Sequence, residues 1–202
     1  ADLLTKRETT DAAMAELRAK ASSRWVRLAE TDEIRARMAE FEAAYDTVAQ
    51  LRELVDRRGV SPLEVVERFT VVIDSAFVVN RSLADWDDKG LAAAAQTVVD
   101  MAYARELMIR EDAIMTGAIA TGGISANARA MFSQVVGARR YLHEAAFEKM
   151  TGDVRQLFEQ VRTSPAYLQF EAAEDRIMAA GSDALGVAPD EWRAAADGMI
   201  RQ

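Results

Sequence analysis

Two charged side chains interrupt an apolar stripe that runs along residues 98–119. Read at heptad spacing, the stripe consists of Val98, Met101, Arg105, Met108, Asp112, Met115 and Ile119. A guanidinium buried among such side chains is strongly destabilising unless a carboxylate or a bound anion satisfies its donors. Arg105 and Asp112 are therefore the first residues of this sequence whose types and positions could do chemistry.

A second arginine, Arg139, lies on the apolar stripe of residues 132–146. Two guanidinium groups that face one point could bind nitrate or a carboxylate, because their paired N–H donors match a planar oxyanion. We therefore take Arg105 and Arg139 as candidate ligand contacts, with Asp112 beside them. Arg110 is also a candidate, although it lies off the stripe and could equally face solvent.

The same residues have a structural interpretation. Arg105 and Asp112 could pair with opposite charges on neighbouring helices and so fix the register of a helical bundle. The two interpretations differ in one observable, which is whether carboxylates of the protein already neutralise Arg105 and Arg139. If both guanidiniums are neutralised internally, anion sensing loses its physical basis.

Several short motifs resemble the nitrate- and nitrite-sensing (NIT) domain of bacterial receptors. They are Ala104-Arg105-Glu106, Arg110-Glu111-Asp112, Gly122-Gly123, Phe132 and Tyr141-Leu142. The first 17 residues and the segments 174–181 and 191–200 resemble further parts of that domain. The resemblance implies the extracytoplasmic sensing domain of an actinobacterial-type sensor histidine kinase, in a two-component system. Such a domain catalyses nothing itself.

Two positions depart from the family pattern. By the resemblance, the helix that carries the family's first anion-binding arginine is expected to precede residue 1, and the second family arginine is expected to align with Asp112, an acid. The expected ligand is thus nitrate, nitrite or another small anion. The alternative function is a helical protein-interaction or dimerisation module that takes no small-molecule ligand.

The composition restricts the classes of function. A net charge of −8 argues against a nucleic-acid partner, because phosphates are bound by basic surfaces. The chain has no cysteine and a single histidine, His143, which argues against thiol catalysis and multi-histidine metal sites. We expect His143 to be solvated, and we expect the acidic clusters at residues 106–112 and 171–175 to be solvated helix faces. No catalytic residue, metal or cofactor is predicted.

The elements that must position these residues are predicted to be helices throughout, because alanine is abundant and only three prolines occur. Caps and apolar periodicity predict about eight helices, which start near positions 2, 32, 62, 91, 126, 153, 165 and 190. Ser61 and Ser125 have the type and position of N-caps. Gly117 and Gly137 lie inside predicted helices, where they indicate close approach of another helix.

The longest predicted helices would extend roughly 40 Å at 1.5 Å per residue, which is too long for one compact bundle of eight. We therefore predict an all-α fold of two up-and-down four-helix bundles, stacked end to end and sharing long helices. The whole chain, residues 1–202, is expected to be one sensing domain that the sequence does not divide further.

Two expectations concern partners. Trp25 and Val26 lie beyond the main apolar stripe of the first helix, which predicts an exposed surface for a homodimer. No window is long and apolar enough to cross a bilayer, so membrane attachment is expected through flanking helices that are not in this chain. The parent would then be a cell-membrane protein.

Overall fold

The computed structural model describes residues 2–24, 31–181 and 183–200, and 84% of this structure is helical with no strand. The all-α prediction is confirmed. The helices are α1 (Leu3–Ala21), α2 (Asp32–Asp46), α3 (Val48–Asp56), α4 (Pro62–Leu83), α5 (Lys89–Thr121), α6 (Ala126–Lys149), α7 (Gly152–Arg162), α8 (Pro165–Ala179) and α9 (Pro189–Ile200). The helix predicted from position 32 is divided at Thr47 into α2 and α3.

Local capping chemistry explains where the central helices begin and end. The Ser61 hydroxyl accepts a hydrogen bond from the Glu64 amide at 3.2 Å, and the Ser125 hydroxyl accepts one from the Ala128 amide at 3.2 Å. Both predicted N-caps are confirmed. Gly122 ends α5 with a φ of 78°, a left-handed conformation that glycine adopts without strain.

The helices pack as antiparallel neighbours along most of the chain. Ion pairs join α1 to its neighbours, Arg18 to Asp46 of α2 and Arg7 to Asp56 of α3. α4 packs on α2 and on α5, and the most extensive contact joins α5 to α6. α8 and α9 pack on each other, α8 also packs on α6, and α9 also packs on α5. These contacts do not confirm an end-to-end stack of two four-helix bundles, because α4 and α5 lie side by side between the two groups of helices.

The two interior glycines have different surroundings. A Cβ atom on Gly117 would lie 2.7 Å from the Cβ atom of Pro62, so α4 begins directly against α5 and the predicted close approach is confirmed. Around Gly137 no atom lies within 4 Å of such a Cβ, and the same prediction there is wrong. The reason is that Gly137 lies on the exposed side of α6.

The largest buried side chains lie between α5, α6, α8 and α9. Phe132, Phe170, Ile177 and Trp192 are fully buried there, and the rings of Phe170 and Trp192 lie 5.3 Å apart. In the part of the chain that the structure describes, no helix has the length and apolarity needed to cross a membrane. Trp25 and Val26, on which the homodimer prediction depends, lie outside the described residues.

Candidate functional site

Arg139 lies in the centre of the protein and is already neutralised. Its Nε donates to Glu111 at 3.0 Å and its Nη2 donates to Glu174, and all three side chains are 0% exposed. Glu174 also accepts a hydrogen bond from Arg140 at 2.8 Å. The inward position predicted for Arg139 is confirmed, but two carboxylates occupy the guanidinium that was expected to meet a ligand.

The carboxylates of this cluster were misread as solvated faces. Glu111 and Glu174 are buried because α5 and α8 each present an acid to the arginine that α6 places in the core. Burial raises the pKa of Glu111 well above its usual range; the Arg139 charge opposes this, and the nearby Glu174 carboxylate adds to it. Glu111 Oε2 and Arg139 Nη1 are buried without a hydrogen-bond partner in the described structure.

Arg110 is buried and not solvent-facing. Its side chain is 7% exposed, and its Nη2 donates to Asp74 on α4 at 2.8 Å. The Tyr103 hydroxyl donates to the same carboxylate oxygen at 3.0 Å. The alternative that Arg110 faces solvent is therefore wrong. α4 covers this side of α5, and its Asp74 carboxylate pairs with the Arg110 guanidinium.

Asp112 is half-buried and accepts a hydrogen bond from the indole N–H of Trp192 at 2.9 Å. The structural interpretation of the sequence expected Asp112 to pair with an opposite charge on a neighbouring helix. The structure shows no such ion pair among the described residues. Trp192 is 0% exposed, so this carboxylate satisfies the one polar group of a side chain that is otherwise packed in the core.

Three consecutive residues of α5 therefore attach it to its neighbours: Arg110 to α4, Glu111 to α6 and, through Arg139, to α8, and Asp112 to α9. We call these three residues the Arg110–Asp112 junction. Successive residues of an α-helix point about 100° apart, so three in a row span about 200° of the helix circumference and meet different neighbours. The triplet is thus explained by packing against neighbouring helices, and its one cation, Arg110, is already paired with Asp74.

Arg105 differs from the other three candidates because it is exposed. The structure gives its guanidinium no ion pair and no hydrogen bond within the described residues. The inward position predicted for it is wrong, since the buried face of α5 runs through Ala104, Met108, Glu111, Met115 and Ala118. The buried positions repeat at the same spacing as the predicted stripe, but Ala104, Glu111 and Ala118 occupy the places that the prediction gave to the residues one position later.

Arg105 lines a cavity of about 360 Å³ between α5, α6, α7, α8 and α9, which we call the Arg105 cavity. Its other polar lining residues are His143 and Tyr167. The remaining walls are apolar and consist of Met101, Ala102, Met108, Phe158, Val161, Met199 and Ile200. A mostly apolar cavity with a few convergent polar groups is the usual form of a small-molecule site.

His143 forms part of the inner wall, and its predicted solvent exposure is wrong. The residue is 7% exposed, its Nδ1 lies 3.3 Å from the Tyr167 hydroxyl, and its ring meets the Phe158 ring edge-on at 5.5 Å. Burial lowers the pKa of His143 to about 4, and the positive charges of Arg139 and Arg162 act in the same direction. The ring is therefore neutral at pH 7. Its position four residues after Arg139 was the signal that it shares the buried face of α6.

The comparison with protein families decides which kind of domain this is. The model of the nitrate and nitrite sensing (NIT) family matches residues 1–202, the whole chain. The chain belongs to the NIT family. No curated protein and no solved structure matches it.

In this NIT domain the four candidate residues do not converge on one ligand. Arg139, Arg110 and Asp112 are engaged by the protein itself, and only Arg105 lines a cavity with its charge available. The acidic partner Glu174 was the residue that sequence reasoning missed most completely. Within the described residues, His, Cys, Asp and Glu side chains form no group suited to hold a metal ion.

Proposed function

We propose that this NIT domain senses a small anion at the Arg105 cavity, as the extracytoplasmic domain of a bacterial sensor histidine kinase anchored in the cell membrane. The family supports a sensing role. One observation supports an anionic ligand. Arg105 has no ion pair in the described structure, and it lines the same cavity as the buried pair His143 and Tyr167. The domain would bind and signal without catalysis or a cofactor.

The cavity suits an anion for electrostatic reasons. Arg105 supplies a permanent positive charge with several N–H donors, and no acidic residue is among the side chains that line the cavity. His143, being neutral at pH 7, adds neither attraction nor repulsion at that pH. A bound anion would therefore meet one cation and no carboxylate in the cavity lining; the nearby Glu171 carboxylate acts on the Tyr167 hydroxyl.

The cavity also suits signal transmission. Its walls come from five helices, and α9 contributes Met199 and Ile200 near its C-terminal end. A ligand that favours one arrangement of these walls would shift α9 relative to α5, which is the kind of small helix displacement that receptors use. We expect the response to leave the domain through α9.

The test is a set of melting curves with nitrate, nitrite and small carboxylates. A ligand at a hundredfold excess over its dissociation constant should stabilise the domain by about 2.7 kcal/mol. Arg105→Ala should remove this stabilisation, and the unliganded variant should differ from wild type by less than about 0.5 kcal/mol, because the residue is exposed.

Arg68→Ala is the matched control, since Arg68 is a half-exposed arginine on α4 that does not line the cavity. Its ligand-dependent stabilisation should equal that of wild type. If none of these anions raises the melting temperature of the wild-type domain, the anion sensor is rejected.

A second candidate function, a helical dimerisation module, is favoured by the first half of α5. Leu91 and Val98 are 46% and 68% exposed, and they are seven residues apart on one side of the helix. Apolar residues at that spacing form the seam between paired helices. Sedimentation of wild type and Val98→Glu would test this: a dimer that the substitution dissociates supports the module, whereas two monomers argue against it.

A further inference from the structure

We propose that the Arg105 cavity takes an organic carboxylate with an apolar body, and not a bare inorganic oxyanion such as nitrate. The inference rests on the proposed function, because it identifies the ligand class of the same site. It follows from how few charged groups the cavity has and from what its walls are made of.

A clamp of two arginines around one oxyanion is not present among the described residues. Arg139 does not line the cavity and donates to Glu111 and Glu174. Arg162, the other cation close to His143, pairs with Glu144 at 3.1 Å. Arg105 is then the one lining side chain that carries a charge at neutral pH, and it matches a single carboxylate group.

The walls are unsuited to a small, strongly hydrated ion. Beyond Arg105, a nitrate in this cavity would meet only the Tyr167 hydroxyl and the His143 ring, which are already within 3.3 Å of each other. Every other lining side chain is apolar. The anion would give up its hydration without an equivalent set of donors in return, which is unfavourable.

The same walls suit an apolar ligand body. Met101, Met108 and Met199 line the cavity together, and their unbranched, polarizable side chains adapt to irregular ligand shapes. The volume of about 360 Å³ lies within the range of small-molecule sites and exceeds what one triatomic or tetra-atomic anion fills. A carboxylate at Arg105 with a hydrocarbon chain extending between the methionines uses both features.

Isothermal titration of the domain with acetate, butanoate, hexanoate, hexan-1-ol and nitrate tests the proposal. Each buried methylene should tighten binding by up to about fourfold until the cavity is full. Hexanoate should therefore bind at least about tenfold more tightly than acetate, and more tightly than hexan-1-ol. Arg105→Gln should abolish the preference for hexanoate over hexan-1-ol.

A pair of matched substitutions on α5 tests the location. Ala102→Phe places a ring in the cavity wall and should weaken hexanoate binding at least tenfold. Ala94→Phe, at an exposed position outside the cavity, should leave it unchanged. Circular dichroism would verify that both variants keep the helical fold. Equal affinities for hexanoate in the two variants would overturn the assigned location.

The failure of this inference is distinguishable from the failure of the proposed function. If nitrate or acetate binds as tightly as hexanoate and Arg105→Gln abolishes that binding, the site senses anions but the organic ligand class is wrong. If no anion binds in an Arg105-dependent manner, both the ligand class and the anion sensor are overturned.

Discussion

Acidification should destabilise this domain through its one histidine. His143 is 7% exposed, and the charges that face it are Arg139 on its own helix and Arg162 on α7, with the Tyr167 hydroxyl from α8 beside its ring. Protonation would place a third positive charge in this buried region. The unfolded chain, by contrast, accepts the proton at the ordinary histidine pKa.

The magnitude follows from the difference between the two pKa values. The folded-state pKa of about 4 lies below the ordinary value of 6.5, so the unfolded state binds the proton first as the pH falls. The contribution of neutral His143 to the unfolding free energy is fully present above pH 6.5 and is lost as the pH falls through about 4. At about 1.4 kcal/mol per pH unit, His143 should cost the fold about 2 kcal/mol at pH 5 and about 3 kcal/mol at pH 4.

Urea unfolding followed by circular dichroism measures this contribution when wild type is compared with His143→Gln. The substitution removes the titrating group, and its effect on packing does not depend on pH. The difference in unfolding free energy between wild type and variant, taken at pH 7.5, 5 and 4, therefore isolates His143 from the titrating carboxylates. Wild type should lose about 3 kcal/mol relative to the variant between pH 7.5 and pH 4.

Two results would refute the reasoning. One is a difference in unfolding free energy that stays constant over this pH range. The other is an imidazole proton resonance that titrates near pH 6.5 in the folded protein; because the chain contains a single histidine, its assignment needs no mutagenesis.

Four other substitutions test how the helices are packed and charged. Arg139→Ala should lower the unfolding free energy by about 3–5 kcal/mol, because it leaves two carboxylates buried without their cation. Urea unfolding at pH 7 measures this change. A loss below about 1 kcal/mol would contradict the burial of the ion-pair cluster. Gly137→Ala should raise the unfolding free energy by about 0.5–1 kcal/mol, because alanine favours the helix and nothing lies near the added Cβ. Gly117→Ala should lower the unfolding free energy, because its added Cβ would lie 2.7 Å from Pro62. Melting temperatures that shift in the same direction in the two variants would contradict this. Glu111→Gln should gain stability relative to wild type as the pH rises above the ordinary glutamate pKa, because burial raises the pKa of Glu111 in the folded state and ionising the buried side chain there lowers the unfolding free energy of wild type. Urea unfolding at several pH values measures this, and a pH-independent difference would show that the Glu111 pKa is not raised.

The sequence allowed correct prediction of features that depend on neighbouring residues. The N-caps Ser61 and Ser125 were found because a hydroxyl and an amide three residues later decide them. The partner of Arg139 could not be found in that way, since Glu174 is 35 residues distant and only the packing of α8 on α6 brings it close. Arg105 was misplaced because a one-residue error in helix phase moves a side chain by about 100°.

The Arg110–Asp112 junction divides α5 into a long N-terminal part and a short C-terminal part. All three attachments lie within about 3 Å along an axis of 33 residues, and both ends of the helix extend beyond this level, where α5 also packs on α4 and α6. The arm toward Lys89 measures about 33 Å and the arm toward Thr121 about 15 Å, at 1.5 Å per residue. Tilting α5 about this level would turn a displacement of about 1 Å beside Gly122 into an opposite displacement of about 2 Å at Lys89. Any such tilt would therefore move the N-terminal end of α5 further than its C-terminal end.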